Sequence, residues 1–304
     1  MFLIGETHTI PDLTRFARKT KQISDGVELA PSIDNSLHFR RHDPEIVSIG
    51  KLAIARCILD SEAKSSLAYP ETGIGFRAAD RGVTSIMAKD TWISSLVKIL
   101  TAGKDFNEFC RALSTVTFVC FNYDRCIERY LLEAVRLIYG DSIFDDKELL
   151  ESLKILRPYG SLGDIGSTHE LNGTFGKFGD DSVVVGAAKN IRTFTEGMGS
   201  VVLAEIAKAF SEAETAVFLG YGFISTNDDF LFKQYPFTIK SVFGTVYQIS
   251  YERIESISDN IGKKCMTRED VNGGFVLRSA PRLKNETCSD LVGRYSHIFE
   301  TIGV

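Results

Sequence analysis

The sequence predicts an α/β protein, and three segments carry that prediction. Phe118 to Glu128 is an apolar run that stops at Asn122-Tyr123-Asp124 and continues in a helical pattern. Leu153 to Asp164 is a short apolar stretch opening into a Gly-rich turn, and Thr215 to Asp229 is an apolar strand followed by Gly220 and Gly222. Open α/β sheets bind ligands at the carboxyl ends of such strands. A glycine there lets the backbone approach a ligand closely, because no Cβ intervenes.

The remaining elements follow in order. Phe2 to Ile4 reads as an opening strand, followed after Gly5 by a turn and a basic amphipathic helix around Asp12 to Lys21. Asp43 to Leu67 reads as a long helix, with Asp43 as its cap, Pro44 in its first turn and Ile46, Ile49, Leu52, Ala53 and Cys57 at helical spacing. Tyr69 to Val83, with Pro70, Gly73, Gly75 and Gly82, reads as an exposed loop. Helices return at Lys89–Leu100 and Asp105–Leu113, so residues 30–115 form a mainly helical subdomain. Two helices follow the Asn122 strand, Arg125–Ile138 and Lys147–Leu153. The aperiodic stretch Gly160–Gly179 reads as a long loop and lid candidate. Val183–Val185 has the β-branched composition of a strand, Val201–Ala213 is helical, and strands are expected at Val217–Leu219, Val242–Ile249 and Gly274–Leu277.

Composition narrows the function. At 304 residues and 44% hydrophobic, the chain can build a sizeable core as a single domain spanning 1–304, with 116–280 its main part. A net charge of -5 with interspersed signs gives no electrostatic reason to expect nucleic-acid binding. The six cysteines form no Cys-x-x-Cys pair and only five histidines accompany them, so no metal site is expected. Cys57, Cys110, Cys120 and Cys126 fall within apolar patterns that suit buried reduced thiols, which points to the cytoplasm. The amino terminus lacks the basic lead-in of a signal peptide, and no apolar run approaches the ~20 residues that span a bilayer.

In order and wording, Asn-Tyr-Asp-x-x-Ile-Glu, Pro-Tyr-Gly-Ser-Leu-Gly and Phe-Leu-Gly-Tyr-Gly-Phe resemble the bacterial sirtuin-like domain family over roughly residues 30 to 230. Ser32-Ile33-Asp34-Asn35, Gly50 to Ala55 and Lys189 to Gly197 support the match. The resemblance implies a Rossmann-like parallel sheet with helices on both faces and a helical insertion before the Asn122 strand. It also implies NAD as substrate and, in several relatives, NAD cleavage used in anti-phage defence. Such relatives commonly work as homo-oligomers or with a sensor or ATPase partner, so self-assembly through the helical subdomain or the carboxyl-terminal segment is expected.

In the family, the residue matching Asn122 sits beside the nicotinamide ribose and the one matching Asp124 braces its loop. Positive charge develops on the sugar as nicotinamide leaves, so a polar group beside it suits the chemistry. The alternative is a turn in which Asn122 and Asp124 satisfy backbone donors at the helix start. Relatives carry a histidine where this chain has Arg157, and an arginine stays protonated and cannot be a general base. Arg157 is left to bind a phosphate or pair with an acid such as Asp124. His169 in the following loop is a weak substitute. Tyr159 offers a hydroxyl near the ribose or simply packs. Gly160 and Ser161, then Gly220, Tyr221, Gly222 and Asn227, match segments that hold the dinucleotide, the last four at its adenosine half; an ordinary turn needing positive φ explains the glycines equally well. Lys51, Arg125 and Glu128 fit motif positions or helix-surface pairs.

Gly5 opens the segment Gly5-Glu6-Thr7-His8, where relatives have a Gly-rich phosphate turn, and Glu6 puts a negative charge there. Either the phosphate loop is lost or the start of the chain is missing. Two other activities fit less well. A lysine deacylase of this type would carry a zinc module with paired cysteines, and a dehydrogenase would carry Gly-x-Gly-x-x-Gly with a downstream acid. The rival reading is a catalytically degenerate sirtuin-like module that senses a nucleotide or serves assembly.

Overall fold

The computed structural model describes residues 10–30, 32–68, 90–165, 175, 181–193, 200–232, 237–269, 275–277 and 279–300. Along these the chain forms α1 (Ile10–Val27), α2 (Ile33–Phe39), α3 (Pro44–Lys64), α4 (Trp92–Thr101), α5 (Phe106–Ser114), β1 (Thr117–Val119), α6 (Cys126–Tyr139), α7 (Asp146–Ser152) and β2 (Lys154–Leu156). There follow α8 (Asp181–Asn190), α9 (Ser200–Glu212), β3 (Thr215–Phe218), α10 (Ser225–Leu231), β4 (Ser241–Thr245) and α11 (Tyr251–Cys265). The chain ends with β5 (Thr267–Glu269), β6 (Phe275–Leu277), β7 (Arg282–Lys284), α12 (Cys288–Arg294) and α13 (Ser296–Phe299). The class is α/β, with short parallel sheets. β1 pairs with β2 in parallel, β3, β4 and β7 lie in that order and all parallel, and β5 and β6 form an antiparallel pair.

The chain divides into two compact units interleaved in sequence. The first comprises 1–88, 120–151 and 157–198; the second comprises 89–119, 152–156 and 199–304.

In the first unit, α3 starts where the sequence signals it. Asp43 accepts hydrogen bonds from the amides of Glu45 and Ile46 at 3.1 and 3.2 Å, and Pro44 occupies the first helical position, where a missing N–H costs nothing. Lys19 on α1 ties this corner down, 2.6 Å from Asp43 and 2.8 Å from Glu45. Gly50 on α3 lets α2 lie close: a Cβ there would meet the buried Leu37 side chain at 2.3 Å. The core joins Leu37, Ile54 and Leu59 to Val184, Ala187 and Ile191, so packing overrides the β-branched run Val183–Val185. That run lies inside helix α8 and is not a strand. Tyr123 and Leu162, from the candidate loops, also pack on this core.

In the second unit, Phe210, Phe218, Phe232 and Phe237 form an aromatic cluster with neighbouring ring centroids 5.3 to 6.4 Å apart. Helix α5 carries a full capping box, Asp105 accepting from the Glu108 amide and Glu108 from the Asp105 amide. Cys57 is exposed, against the expectation of a buried thiol, because α3 turns that face to solvent. Among the described residues, no helix is long and apolar enough to cross a membrane. The expected strand Phe2–Ile4, Gly5, the loop Tyr69–Val83, His169 and Phe194–Gly197 lie outside the described residues, as does most of the proposed lid.

Candidate functional site

In the first unit, the segments that follow β1 and β2 in sequence come together. The Leu162 amide donates to the Tyr123 carbonyl at 3.1 Å, and the Arg157 Nη1 donates to the Asn122 carbonyl at 2.8 Å. Held by its backbone, Asn122 is exposed, and among the described residues its side-chain amide makes no hydrogen bond. Asp124 behaves differently: its Oδ1 accepts from the Cys126 amide at 3.1 Å and closes the turn into α6. The local-turn alternative therefore accounts for Asp124 and leaves the Asn122 side chain free.

Arg157 is fully engaged. Its Nη2 contacts Glu128 at 2.7 and 2.8 Å, so it pairs with an acidic neighbour, which is Glu128 on α6 in place of Asp124. Burial alone would lower the pKa of this guanidinium, but Glu128, with Cys120 and Asp124, outweighs that and holds it above its ordinary value. Arg157 stays charged and fixes the Asn122 loop. The neighbouring Cys120 thiol, 3.7 Å from Nη1, is pushed up by burial despite the guanidinium, which suits a protonated thiol and not a nucleophile.

Of the two readings of Arg125, a motif position or a helix-surface pair, the surface pair does not hold. Arg125 is instead buried with Glu62, both side chains 1% exposed. Glu62 accepts from the Arg125 amide at 2.9 Å, from Nε at 3.2 Å and from Nη2 at 2.5 Å, clamping the start of α6 to α3. One residue pairing of this kind is invisible in sequence, since 63 positions separate the partners.

Tyr159 is half-buried, its ring edge-on to Phe121 at 5.8 Å. Its phenol is pushed up to about 12, by burial first and then by Asp34. Gly160 is required twice over. Its φ is +79°, and a Cβ would strike the Asn190 carbonyl oxygen at 2.0 Å, where Gly160 bridges to Ile191. The Ser161 hydroxyl accepts from the Gly163 amide at 3.2 Å.

In the sequence, Asp34 stands out only as part of the Ser32-Ile33-Asp34-Asn35 motif. The structure brings it to the Asn122 loop, with the Tyr123 hydroxyl 3.2 Å from its Oδ1. The same hydroxyl lies 3.2 Å from the Arg192 carbonyl. Burial raises the Asp34 pKa, with the Tyr123 hydrogen bond opposing, and no described cation pairs with it.

Gly220, Tyr221, Gly222 and Asn227 belong to the second unit and form their own turn after β3. Gly220 has φ +61° and its amide donates to the buried Thr245 hydroxyl at 2.9 Å. The second left-handed residue is Phe223, at φ +48°, and not Gly222, which is exposed. Tyr221 packs edge-on to Phe223 at 5.0 Å and donates to Asp228 at 3.0 Å. Asp228 also accepts from Asn260 at 3.3 Å, and burial raises its pKa. The Asn227 amide donates to the Ile224 carbonyl at 2.9 Å, opening α10.

Among the described residues, no group of three or more His, Cys, Asp or Glu side chains is arranged to hold a metal ion. The site thus defined is a polar loop cluster of the first unit, with a free amide, a carboxyl group and two phenols. Comparison with protein families, with curated proteins and with solved structures finds no match.

Proposed function

We propose that this protein is a sirtuin-like NAD glycohydrolase, built on a Rossmann-like sheet, that releases nicotinamide from NAD in bacterial anti-phage defence. The observation that carries the reading is the exposed Asn122 amide, held by its own backbone in the loop that follows β1 in sequence and free to meet a ligand. Both arginines of this loop are neutralised, Arg157 by Glu128 and Arg125 by Glu62, so neither opposes the positive charge that develops on the ribose. Asn122 would orient ribose and water, Asp124 and Arg157 would hold the loop, and Tyr159, Gly160 and Ser161 would line it. The Gly220–Gly222 turn and Asn227 are proposed nucleotide contacts in their own right. A cytoplasmic homo-oligomer restrained by a sensor or ATPase partner completes the proposal, since an enzyme that destroys NAD needs control in the resting cell.

The test is chromatography of NAD incubated with the purified protein. Equal amounts of nicotinamide and ADP-ribose support the reading; intact NAD refutes it. One observation favours a second reading, a degenerate module for nucleotide sensing or assembly. Arg157 stands where the resemblance puts a histidine, and its contacts with Glu128 and Asn122 leave it unable to accept a proton. Calorimetric binding of NAD without turnover would favour that module.

A further inference from the structure

Hydrolysis needs a base, and Arg157 cannot be one. We propose that Asp34, reaching the Asn122 loop from helix α2, is the catalytic base that takes the proton of the attacking water; this rests on the glycohydrolase reading.

The geometry of Tyr123 is what makes Asp34 suited to the task. A phenol has one proton, yet the Tyr123 hydroxyl lies 3.2 Å from two acceptors, the Asp34 Oδ1 and the Arg192 carbonyl. With Asp34 ionised, Tyr123 donates to the carboxylate. With Asp34 protonated, the new O–H donates to Tyr123, which turns its own proton to Arg192. Both protonation states find hydrogen-bond partners without any heavy atom moving. The titratable groups facing Asp34 are the two phenols, Tyr123 and Tyr159, and no described cation holds the carboxylate in its ionised form. Burial shifts it toward neutrality from its ordinary value of 3.8, the direction that makes a carboxylate a better base near working pH.

The bond between ribose C1′ and the nicotinamide nitrogen breaks, and its electron pair leaves with nicotinamide. The water oxygen bonds to C1′, and the water proton passes to the Asp34 carboxylate and later to solvent. Gly50 acts at a distance here, since it seats α2, and with it Asp34, against α3.

The experiment is the pH dependence of nicotinamide release from NAD by wild type, Asp34→Asn and Tyr123→Phe, with calorimetric NAD affinity and Tm alongside. Asp34→Asn is expected to lower kcat by about 10²–10⁴-fold with affinity within threefold, and to lose the acid limb of the wild-type profile. Tyr123→Phe should move that limb to higher pH, because the ionised carboxylate loses its donor. An Asp34→Asn rate within threefold of wild type overturns the assignment while leaving the glycohydrolase reading intact. If wild type releases no nicotinamide, that reading falls and the assignment with it. Should Asp34→Asn fail to fold, the Tyr123→Phe profile decides, and an unmoved acid limb overturns the proposal.

Discussion

Gly160→Ala tests whether the loop carrying Tyr159 and Ser161 is fixed by steric necessity. The backbone there is at φ +79°, and a Cβ would sit 2.0 Å from the Asn190 carbonyl oxygen, far inside contact distance. Gly140 makes a control for positive φ without a clash in the same unit, at φ +78° with nothing within 4 Å of its Cβ position. Each substitution imposes a left-handed residue, costing about 1–3 kcal/mol. Gly160→Ala must in addition part the bridge to Ile191, losing the bond from the Arg192 amide to the Tyr159 carbonyl at 2.8 Å. That bond contributes about 0.5–1.5 kcal/mol, and overpacking adds about 1–3 kcal/mol. The clash and lost bond together make Gly160→Ala the worse variant by about 1.5–4.5 kcal/mol. Urea unfolding followed by circular dichroism measures both variants. Equal destabilisation of the two would refute the claim that Asn190 confines the loop.

Other expectations follow from the same contacts. Glu62→Gln leaves Arg125 buried without its carboxylate and should cost about 3–5 kcal/mol, or about 6–20 °C in Tm; Glu62→Leu with Arg125→Met should recover most of the loss, and additive effects would contradict coupling. Arg157→Met removes the grip on the Asn122 carbonyl and should lower kcat/KM by about 10–10²-fold, the worth of a charge-assisted hydrogen bond. Arg157→His should lose activity likewise, and a gain in nicotinamide release would count against Asp34 as the base. The stability carried by Asp34 has a definite sign. Its folded pKa is raised, so its contribution is full below 3.8 and is lost as pH rises through the folded value. Scanning calorimetry should therefore find Asp34→Asn at a higher Tm than wild type at pH 7, with the gap closing toward pH 3.8; a gap independent of pH would contradict the buried-carboxyl account.

The legible parts of the fold were those written in local chemistry. Asp43 and Pro44 announced α3, and the change from apolar run to Asn-Tyr-Asp announced β1 and α6. Glycine at Gly160 and Gly220 marked true left-handed turns. What escaped was set by long-range packing. Val183–Val185 has strand composition but buries Val184 with Ala187 and Ala188 as one face of α8. Helix α11 carries Ile254, Ile257, Ile261 and Cys265 at helical spacing, a signal overshadowed by the strand patterns on either side. Phe223 takes a strained φ because its ring is held among Phe218 and Tyr221. Within the candidate site, Asn122 and Arg157 were visible as departures from pattern, whereas Glu128, Glu62 and Asp34 became partners only through folding.

The central claim is that the Asn122 loop cleaves NAD, and the most direct measurement is nicotinamide release by wild type beside Asn122→Ala, with Tm compared to exclude unfolding. The account predicts release by wild type that is abolished in a variant of unchanged Tm. Release that persists in Asn122→Ala, or none from wild type, would contradict it.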